Sequence, residues 1–231
     1  MKVTLLHHTP LWVADKAIGK CWDKSTPDEL CIDAETGDYS YIYNPLTDED
    51  EIRIVPGCNT ERIERVANKR KHSSTIEHLT YNFDIDGVSR ALLQELARHR
   101  MASLSVKSTR YTLKELKEIS LLNRYQEFDR DVMSKFVVFT SDTKVNTAIA
   151  RSLIDLQECL QDGISNDIAK YCLPEAYKTS LIWTINARSL QNFLSLRTDK
   201  SALWEIRELA QRVFEALPED HKFLFKEFVK C

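Results

Sequence analysis

Apolar residues recur with two different periods along the chain, and these periods predict both helices and strands. Alternating apolar positions at 79–85 predict a half-buried strand, and the apolar run 179–185 predicts a buried one. Helical spacing of apolar residues predicts an amphipathic helix over 145–160, which Gly163 ends. Together they indicate an α/β (α+β) fold in which a mixed sheet packs with helices.

Shorter periodic segments predict the other elements. A strand is expected at 2–6, and helices at 10–22, 60–71, 188–197 and 201–217. Gly87 is predicted to open a helix whose apolar stripe continues toward His99. Residues 101–108 are rich in serine and lack a helical stripe, so they are predicted to form a loop.

One segment differs in composition from the rest of the 231-residue chain. Residues 24–57 hold many Asp, Glu, Thr and Pro residues, which predicts an irregular surface insertion within a single domain over 1–231. No run of about 18 apolar residues occurs, so no transmembrane helix is expected. The N-terminal segment lacks the long apolar core of a signal peptide.

Cysteine and glycine usage narrows the classes of function. The six cysteines include no CxxC pair, which favours reduced thiols in a cytoplasmic protein and predicts no metal site. The five glycines form neither a GxGxxG nor a P-loop arrangement. A bound nucleotide would therefore have to be held by side chains and helix ends.

A cationic stretch at 94–111 stands out in a chain whose formal net charge is -3. Arg98, His99 and Arg100 are followed by Lys107 and Arg110, with serine and threonine hydroxyls between them. Arginine forks and short hydroxyls suit a phosphate pocket. The alternative from these residues alone is a solvated basic helix end.

Two further segments carry polar residues in unusual places. On the predicted helix 188–197, Arg188, Asn192 and Ser195 share one face, where a solvated face would favour Glu and Lys. The segment 72–78 combines histidines and hydroxyls before a strand, which fits either a ligand-binding loop or ordinary turn chemistry.

The spacing Arg98-His99-Arg100, seven residues, Ser108 and then Arg110 closely resembles the signature of the flavin-dependent thymidylate synthases. The segment 186–197, NARSLQNFLSLR, resembles that family's second signature region. The resemblance implies a helix-rich layer joined to a β-sheet, a homotetramer with shared active sites, and FAD held without a Rossmann loop. It also implies synthesis of dTMP from dUMP, with 5,10-methylenetetrahydrofolate as carbon donor and NADPH as reductant.

The resemblance also implies roles for particular residues. Arg197 would be catalytic, facing the pyrimidine and favouring ionisation of the ring. The residues implied to bind FAD are Ser74, Arg98, His99, Arg100, Met101, Asn186, Ala187, Arg188 and Asn192. The residues implied to bind dUMP are Glu95, Leu96, Ala97, Arg98, Lys107, Ser108, Thr109, Arg110, Lys170 and Arg197.

Three positions depart from patterns found among family members. Val106 stands where some members have an acidic residue, and Ser201 where some have a histidine near the flavin. Lys170 replaces an arginine that contacts the nucleotide phosphate, and it keeps the charge but loses the bidentate fork.

Two other classes of function remain open on the residues alone. A basic block can bind nucleic acid through phosphates, although the sequence pI of about 6.1 and the lack of interleaved aromatic residues argue against it. A non-catalytic relative with a retained nucleotide pocket is the other alternative. Bound flavin colour would separate the first alternative from the enzyme.

Overall fold

The computed structural model describes residues 1–22, 41–44, 49–52, 58–122 and 127–230. Its strands are β1 Lys2–His8, β2 Tyr41–Asn44, β3 Glu49–Ile52, β4 Thr80–Ser89, β5 Ala102–Val106 and β6 Lys178–Asn186. Strands β2 and β3 pair antiparallel within the segment 24–57, most of which lies outside the described residues.

Helices fill most of the rest of the described chain. The α-helices are α1 Trp12–Cys21, α2 Thr60–Glu64, α3 Arg90–Leu96, α4 Thr109–Thr112, α5 Lys114–Glu118, α6 Arg130–Met133, α7 Thr143–Gln161, α8 Asn166–Ala169, α9 Ala187–Arg197 and α10 Trp204–Glu215. A π-helical turn, Arg65–Lys69, continues α2, and 3₁₀ turns occupy Ser73–Ile76, Lys170–Cys172, Glu219–Leu224 and Lys226–Phe228. Within the described ranges, no helix is long and apolar enough to cross a membrane.

Four strands form one antiparallel sheet in the order β1-β4-β6-β5. One face of this sheet is fully buried, because Tyr81, Phe83 and Ile85 of β4 alternate inward and meet Trp183 of β6. Helices α1, α3, α9 and α10 cover that face and share its hydrophobic cluster. The predicted packing of a sheet with helices is therefore confirmed, although this sheet is antiparallel rather than mixed.

A second hydrophobic cluster lies around α7, the longest described helix. Leu153 and Leu156 of α7 are fully buried there with Leu116 of α5. Tyr177, just before β6, also belongs to this cluster. The predicted helix at 145–160 is confirmed, and Gly163 follows it with a φ of +83°, the left-handed conformation that favours glycine after a helix.

The prediction of a loop at 101–108 is wrong, because residues 102–106 form β5 at the edge of the sheet. Leu104 pairs with Trp183 and Ser105 with Ile182 of β6. Alternation places Ala102 and Leu104 against the main hydrophobic cluster and leaves the two serines between and beside them exposed. The serines are thus the outward half of a strand pattern.

The prediction that Gly87 opens a helix is also wrong. Gly87 lies inside β4 with a φ of +72°, at the point where the register with β6 shifts between Asp86 and Val88. Glycine tolerates this left-handed bulge conformation without strain. Helix α3 begins at Arg90, where the Ser89 hydroxyl accepts a hydrogen bond from the Leu92 N–H at 3.0 Å.

Candidate active site

The basic residues of the 94–111 stretch divide between two cavities that lie beyond the two ends of β5. Arg100 and Met101 precede the strand and line a cavity of about 910 Å³, which we call the His99 cavity. Val106 and the residues after it line a cavity of about 560 Å³, which we call the Lys170 cavity. Five strand residues span roughly 17 Å. The two basic groups are therefore separate within one chain.

The His99 cavity brings together residues from two distant parts of the sequence. The end of α3 and the turn after it supply one wall, and α9 supplies the other. The implied ligand-binding residues that line it are Glu95, Arg98, His99, Arg100, Met101, Asn186, Arg188, Asn192 and Arg197. Ser201, one of the three departures, lines it as well.

Arg197 is the most firmly held cation in this cavity, with a side chain only 16% exposed. Its Nη1 donates to Glu95 Oε2 at 2.8 Å, and its Nη2 donates to the Glu95 carbonyl oxygen at 3.1 Å. Its Nε donates to His99 Nε2 at 3.0 Å. Since a guanidinium has five N–H donors, these three bonds fix its plane and leave two donors for a ligand.

His99 accepts the Arg197 bond, so its ring must carry no proton on Nε2. The imidazole is buried and meets the Phe193 ring edge-on, with centroids 5.1 Å apart. Burial, together with the neighbouring Arg197 charge, lowers the pKa of His99 from 6.5 to about 4, although Glu95 opposes the shift. His99 is therefore neutral near pH 7 and serves as an acceptor that orients Arg197.

The remaining cations of the His99 cavity are exposed and accessible to a ligand. Arg98 and Arg100 both follow the end of α3, and their side chains are exposed. Because the helix stops at Leu96, their spacing does not force them onto opposite helix faces. Arg188 Nη1 pairs with Glu77 Oε1 at 2.5 Å, with both side chains partly exposed. Such an exposed pair can exchange for a ligand at little cost.

Two carboxamides complete the wall formed by α9. Asn186 is the N-cap, and its Oδ1 accepts from the Ser189 N–H at 2.8 Å, so its amide group keeps donors for a ligand. Asn192, six residues later on the same helix, is exposed. Three exposed arginines, the oriented Arg197 and two carboxamides around about 910 Å³ fit a cofactor of dinucleotide size that carries a pyrophosphate.

Four of the implied residues do not line either cavity. Ala187 and Leu96 are fully buried, so only their backbones could meet a ligand. Ala97 is exposed after α3, and Ser74 is exposed on a 3₁₀ turn whose last neighbour, Glu77, does reach the His99 cavity. The 3₁₀ turn thus lies beside the cavity.

The Lys170 cavity gathers the second group of implied residues. They are Lys107, Ser108, Thr109, Arg110 and Lys170, joined by Arg90, Val106, Tyr171 and Leu173. Arg110 donates from Nε and Nη2 to the two carboxylate oxygens of Asp167, at 2.7 and 3.1 Å. This ion pair is more than half exposed, so it holds Arg110 in place without removing it from solvent.

Two charged residues at these cavities were missed by sequence reasoning. Glu77 and Arg90 belong to neither signature block's basic or polar pattern. Glu77 stands in the histidine-rich segment before β4, which was a weak indication at best. The sequence pattern gives Arg90 no role, and only the three-dimensional packing brings it into the same cavity as Lys170.

Comparisons with known proteins identify the family of this chain. Residues 18–221 match the family model Thy1, thymidylate synthase complementing protein. The flavin-dependent thymidylate synthase of Wolinella succinogenes is 50% identical over 97% of each chain. That of Helicobacter pylori is 45% identical over the full length of both chains. A crystal structure of thymidylate synthase X from Helicobacter pylori with FAD and dUMP is 44% identical, with full coverage of both chains and a TM-score of 0.80.

The match extends over both cavities and over the sheet that carries them. The family model covers most of the chain, and the curated relatives are up to 50% identical over nearly all of it. The two signature segments that line the cavities indicate the same family. This chain belongs to the flavin-dependent thymidylate synthases.

Proposed function

We propose that this chain converts dUMP to dTMP, taking the carbon from 5,10-methylenetetrahydrofolate and the reducing equivalents from NADPH through FAD, and releasing tetrahydrofolate. The observation that carries the proposal is the His99 cavity, where two signature segments about 90 residues apart meet around one buried, oriented guanidinium. The FAD and dUMP bound in the related Helicobacter pylori structure support the choice of ligands.

Arg98, Arg100 and Arg188 would hold the phosphates of FAD, and Asn186 and Asn192 would hydrogen-bond its polar edges. Ser74, His99, Met101 and Ala187 complete the proposed flavin site. Bound flavin would supply the redox chemistry, which no protein side chain provides. For Arg188, binding means exchanging the Glu77 carboxylate for an oxygen of the FAD pyrophosphate, which likewise accepts from the guanidinium.

Arg197 would place its two remaining donors against the pyrimidine ring of dUMP. A fixed cation at that position stabilises negative charge that develops on the ring, because it is already oriented and shielded from water. Glu95 and neutral His99 set the direction of the guanidinium. Glu95 pairs with one side of the guanidinium only, so the positive charge of Arg197 is not fully neutralised on the side that would meet the substrate.

Lys107, Ser108, Thr109, Arg110 and Lys170 would hold the nucleotide 5′-phosphate in the Lys170 cavity. Leu96 and Ala97, at the end of α3, would contact dUMP on the side of the His99 cavity. A phosphate monoester carries close to two negative charges at pH 7. Such a dianion can draw Arg110 from Asp167, or share it, because that ion pair is exposed and weak.

The separation of the two cavities supports a homotetramer with shared sites. The proposed flavin and pyrimidine residues lie at one end of β5 and the proposed phosphate residues at the other. A nucleotide that needs both would then bind between the His99 cavity of one protomer and the Lys170 cavity of its neighbour. We further propose that residues 1–231 act as one domain in the cytoplasm, with 24–57 as an insertion.

The proposed reaction uses no enzyme thiol. Among the described residues, no cysteine lines the His99 cavity or the Lys170 cavity. Cys172 follows Tyr171 in sequence but is not part of the wall of the Lys170 cavity. A Cys172→Ala variant should therefore keep most of the dTMP-forming activity. Loss of turnover in a folded, flavin-loaded Cys172→Ala protein would instead indicate covalent thiolate catalysis.

Purified protein tests the proposal directly. A concentrated sample, reconstituted with FAD if needed, should be yellow and should release flavin on denaturation. With dUMP, 5,10-methylenetetrahydrofolate and NADPH it should form dTMP, and an Arg197→Ala variant should not. A colourless protein that fails to bind added FAD would overturn the enzyme assignment and return attention to nucleic-acid binding.

A further inference from the structure

The loop 198–202 follows α9 directly and forms one edge of the His99 cavity. Arg197 is the last residue of the helix, and Ser201 and Ala202 of the loop line the cavity with it. The conformation of this loop therefore decides which polar groups a ligand meets at this edge.

Asp199 fixes the conformation of the loop. Its Oδ1 accepts from the Ser201 N–H at 2.9 Å and from the Ser201 hydroxyl at 2.6 Å. Its carbonyl oxygen accepts from the Ala202 N–H at 3.0 Å. Because the hydroxyl has one proton and donates it to Asp199, Ser201 can only accept a hydrogen bond from a ligand.

Lys230 holds the loop from outside the cavity wall. Its Nζ donates to Asp199 Oδ2 at 2.8 Å, and its backbone N–H donates to the Thr198 hydroxyl oxygen at 2.9 Å. Phe228 and Val229, just before it, pack against the main hydrophobic cluster. The loop is thus attached to the core of the molecule through Lys230.

The same ion pair settles the charge at this edge of the cavity. The hydrogen bond from Lys230, followed by those from Ser201, holds the pKa of Asp199 well below its usual range, so the carboxylate is ionised at neutral pH. The side chains of Lys230 and Asp199 are 52% and 37% exposed, so the pair adds little to the stability of the fold. A charged ligand should feel its loss more than the free energy of unfolding does.

The other carboxylates of the cavity are paired as well. Glu77 and Glu95 line the wall, and each forms an ion pair with an arginine of that wall. Asp199 is paired instead with a lysine that lies outside the wall. All three carboxylates are thus offset, which keeps the cavity favourable for an anionic ligand.

We propose that Asp199 and Lys230 are positioning residues for the flavin cofactor and act as a charge-balanced pair. Asp199 orients the Ser201 hydroxyl as an acceptor at the edge of the cavity, and Lys230 prevents the carboxylate that does so from repelling the cofactor. The assignment rests on the proposed function, since it takes FAD as the occupant of the His99 cavity.

Titration of the full-length, flavin-free protein with FAD at low ionic strength tests the balance of charge. Lys230→Met leaves the carboxylate uncompensated and should weaken FAD binding roughly two- to fivefold, an effect that added salt should diminish. Lys230→Arg keeps the charge and should bind FAD as the unmodified protein does. The double variant Asp199→Asn/Lys230→Met lacks both charges and should recover most of the lost affinity.

A second double variant tests the orientation of Ser201. Asp199→Ala/Lys230→Met has the same charge as Asp199→Asn/Lys230→Met, but it has no side-chain acceptor for the Ser201 hydroxyl. It should bind FAD more weakly than the form with Asn, and the visible absorption bands of its bound flavin should be shifted. Equal affinities and equal spectra would overturn the role of Asp199.

The control variant is Lys222→Met, because Lys222 pairs with Glu219 at 2.7 Å and neither residue lines the His99 cavity. It should leave FAD binding unchanged at every salt concentration. Melting temperatures of all variants should stay close to that of the unmodified protein, since both ion pairs are accessible to solvent.

The outcomes distinguish this assignment from the proposed function. Failure of the unmodified protein to bind FAD would overturn the proposed function and this assignment with it. Tight FAD binding that Lys230→Met leaves unchanged at low salt would overturn this assignment alone. A loss that persists in Asp199→Asn/Lys230→Met would also overturn it, because the pair would then support the fold of the loop and not the charge at the cavity.

Discussion

Arg197 combines burial, three internal hydrogen bonds and a neutral histidine neighbour. The neutrality of His99 matters because a protonated imidazole could not accept from Nε and would repel the guanidinium. The low pKa of His99, about 4, keeps this contact intact through the physiological range.

Replacing Arg197 by lysine should therefore be far from conservative. An ammonium keeps the charge but cannot bond His99, Glu95 and the substrate from one rigid plane. We expect kcat to fall about 10²- to 10³-fold, the usual cost of removing one oriented donor at a developing charge, with FAD binding nearly unchanged. Steady-state kinetics and flavin titration would measure this. The control is Arg151→Lys, at an exposed arginine of α7 that lines neither cavity. An Arg197→Lys enzyme of normal kcat would contradict the proposed role of Arg197.

At the residue level, the sequence located cavity residues where they belong to a signature of fixed spacing or to one face of a helix. Arg98 and Ser108 could be placed through their signature, and Arg188 and Asn192 through their shared helix face, and each lines a cavity. Their ligand roles stay a prediction. Arg90 could not be found in this way, because its relevance depends on a contact made across the fold and not on neighbours in sequence.

Among the elements, β5 was the one most easily misread. Its sequence ASLSV alternates, but it is short and two of its five residues are serine, a residue common in turns. What makes it a strand is pairing with β6, about 80 residues later, and no local pattern contains that information. Helix α7 needed no such partner to be recognised, since its long apolar stripe is local.

The C-terminal 3₁₀ turn Glu219–Leu224 is joined to the sheet through a buried polar contact. The Tyr81 hydroxyl of β4 and His221 Nδ1 are 2.7 Å apart, and both rings are almost fully buried. Burial raises the pKa of Tyr81, so its hydroxyl stays protonated and donates. Burial also lowers the pKa of His221 from 6.5 to about 4, against the pull of Asp220 and with the help of His8.

This contact predicts a loss of stability in acid. Between pH 6.5 and 4 the unfolded chain binds a proton at His221 that the folded chain does not, so the free energy of unfolding falls as the pH falls. The loss should be about 2 kcal/mol at pH 5 relative to pH 7. The His221→Gln variant keeps a hydrogen-bond acceptor but has no titrating group at this position. Its free energy of unfolding, measured in urea, should depend less steeply on pH than that of the unmodified protein. If the free energies of unfolding of the two proteins changed equally with pH, His221 would not be the cause of the loss in acid.

The whole molecule has two hydrophobic clusters, one between the sheet and its helices and one around α7. The Lys170 cavity lies where the segments of the two clusters meet, with Arg90 from α3 on one side and Lys170 after α8 on the other. Its shape therefore depends on how the two clusters are fixed against each other.

Sharing of sites between protomers can be tested by complementation. An Arg197→Ala protein lacks a working His99 cavity, and an Arg110→Ala protein lacks a working Lys170 cavity. After subunit exchange, about one site in four would join two intact halves, so up to about a quarter of the activity should return. Activity per flavin in the mixture would measure it.

The control mixture pairs Arg197→Ala with Arg98→Ala. Both residues line the His99 cavity of the same chain, so no combination of subunits restores it and no activity should return. Recovery in this control, or none in the first mixture, would contradict shared sites. Light scattering that reports a monomer would do the same.

Because β5 joins the two cavities, the chain should tolerate substitutions at the exposed positions of this strand better than insertions or deletions in it. Substitutions at Ser103 or Ser105 alter an exposed side chain and leave both cavities in position. An insertion or deletion of one residue would turn Leu104 out of the core and move the basic groups at the two ends relative to each other. The number of residues in this segment, more than the identity of its exposed side chains, fixes the distance between the two cavities.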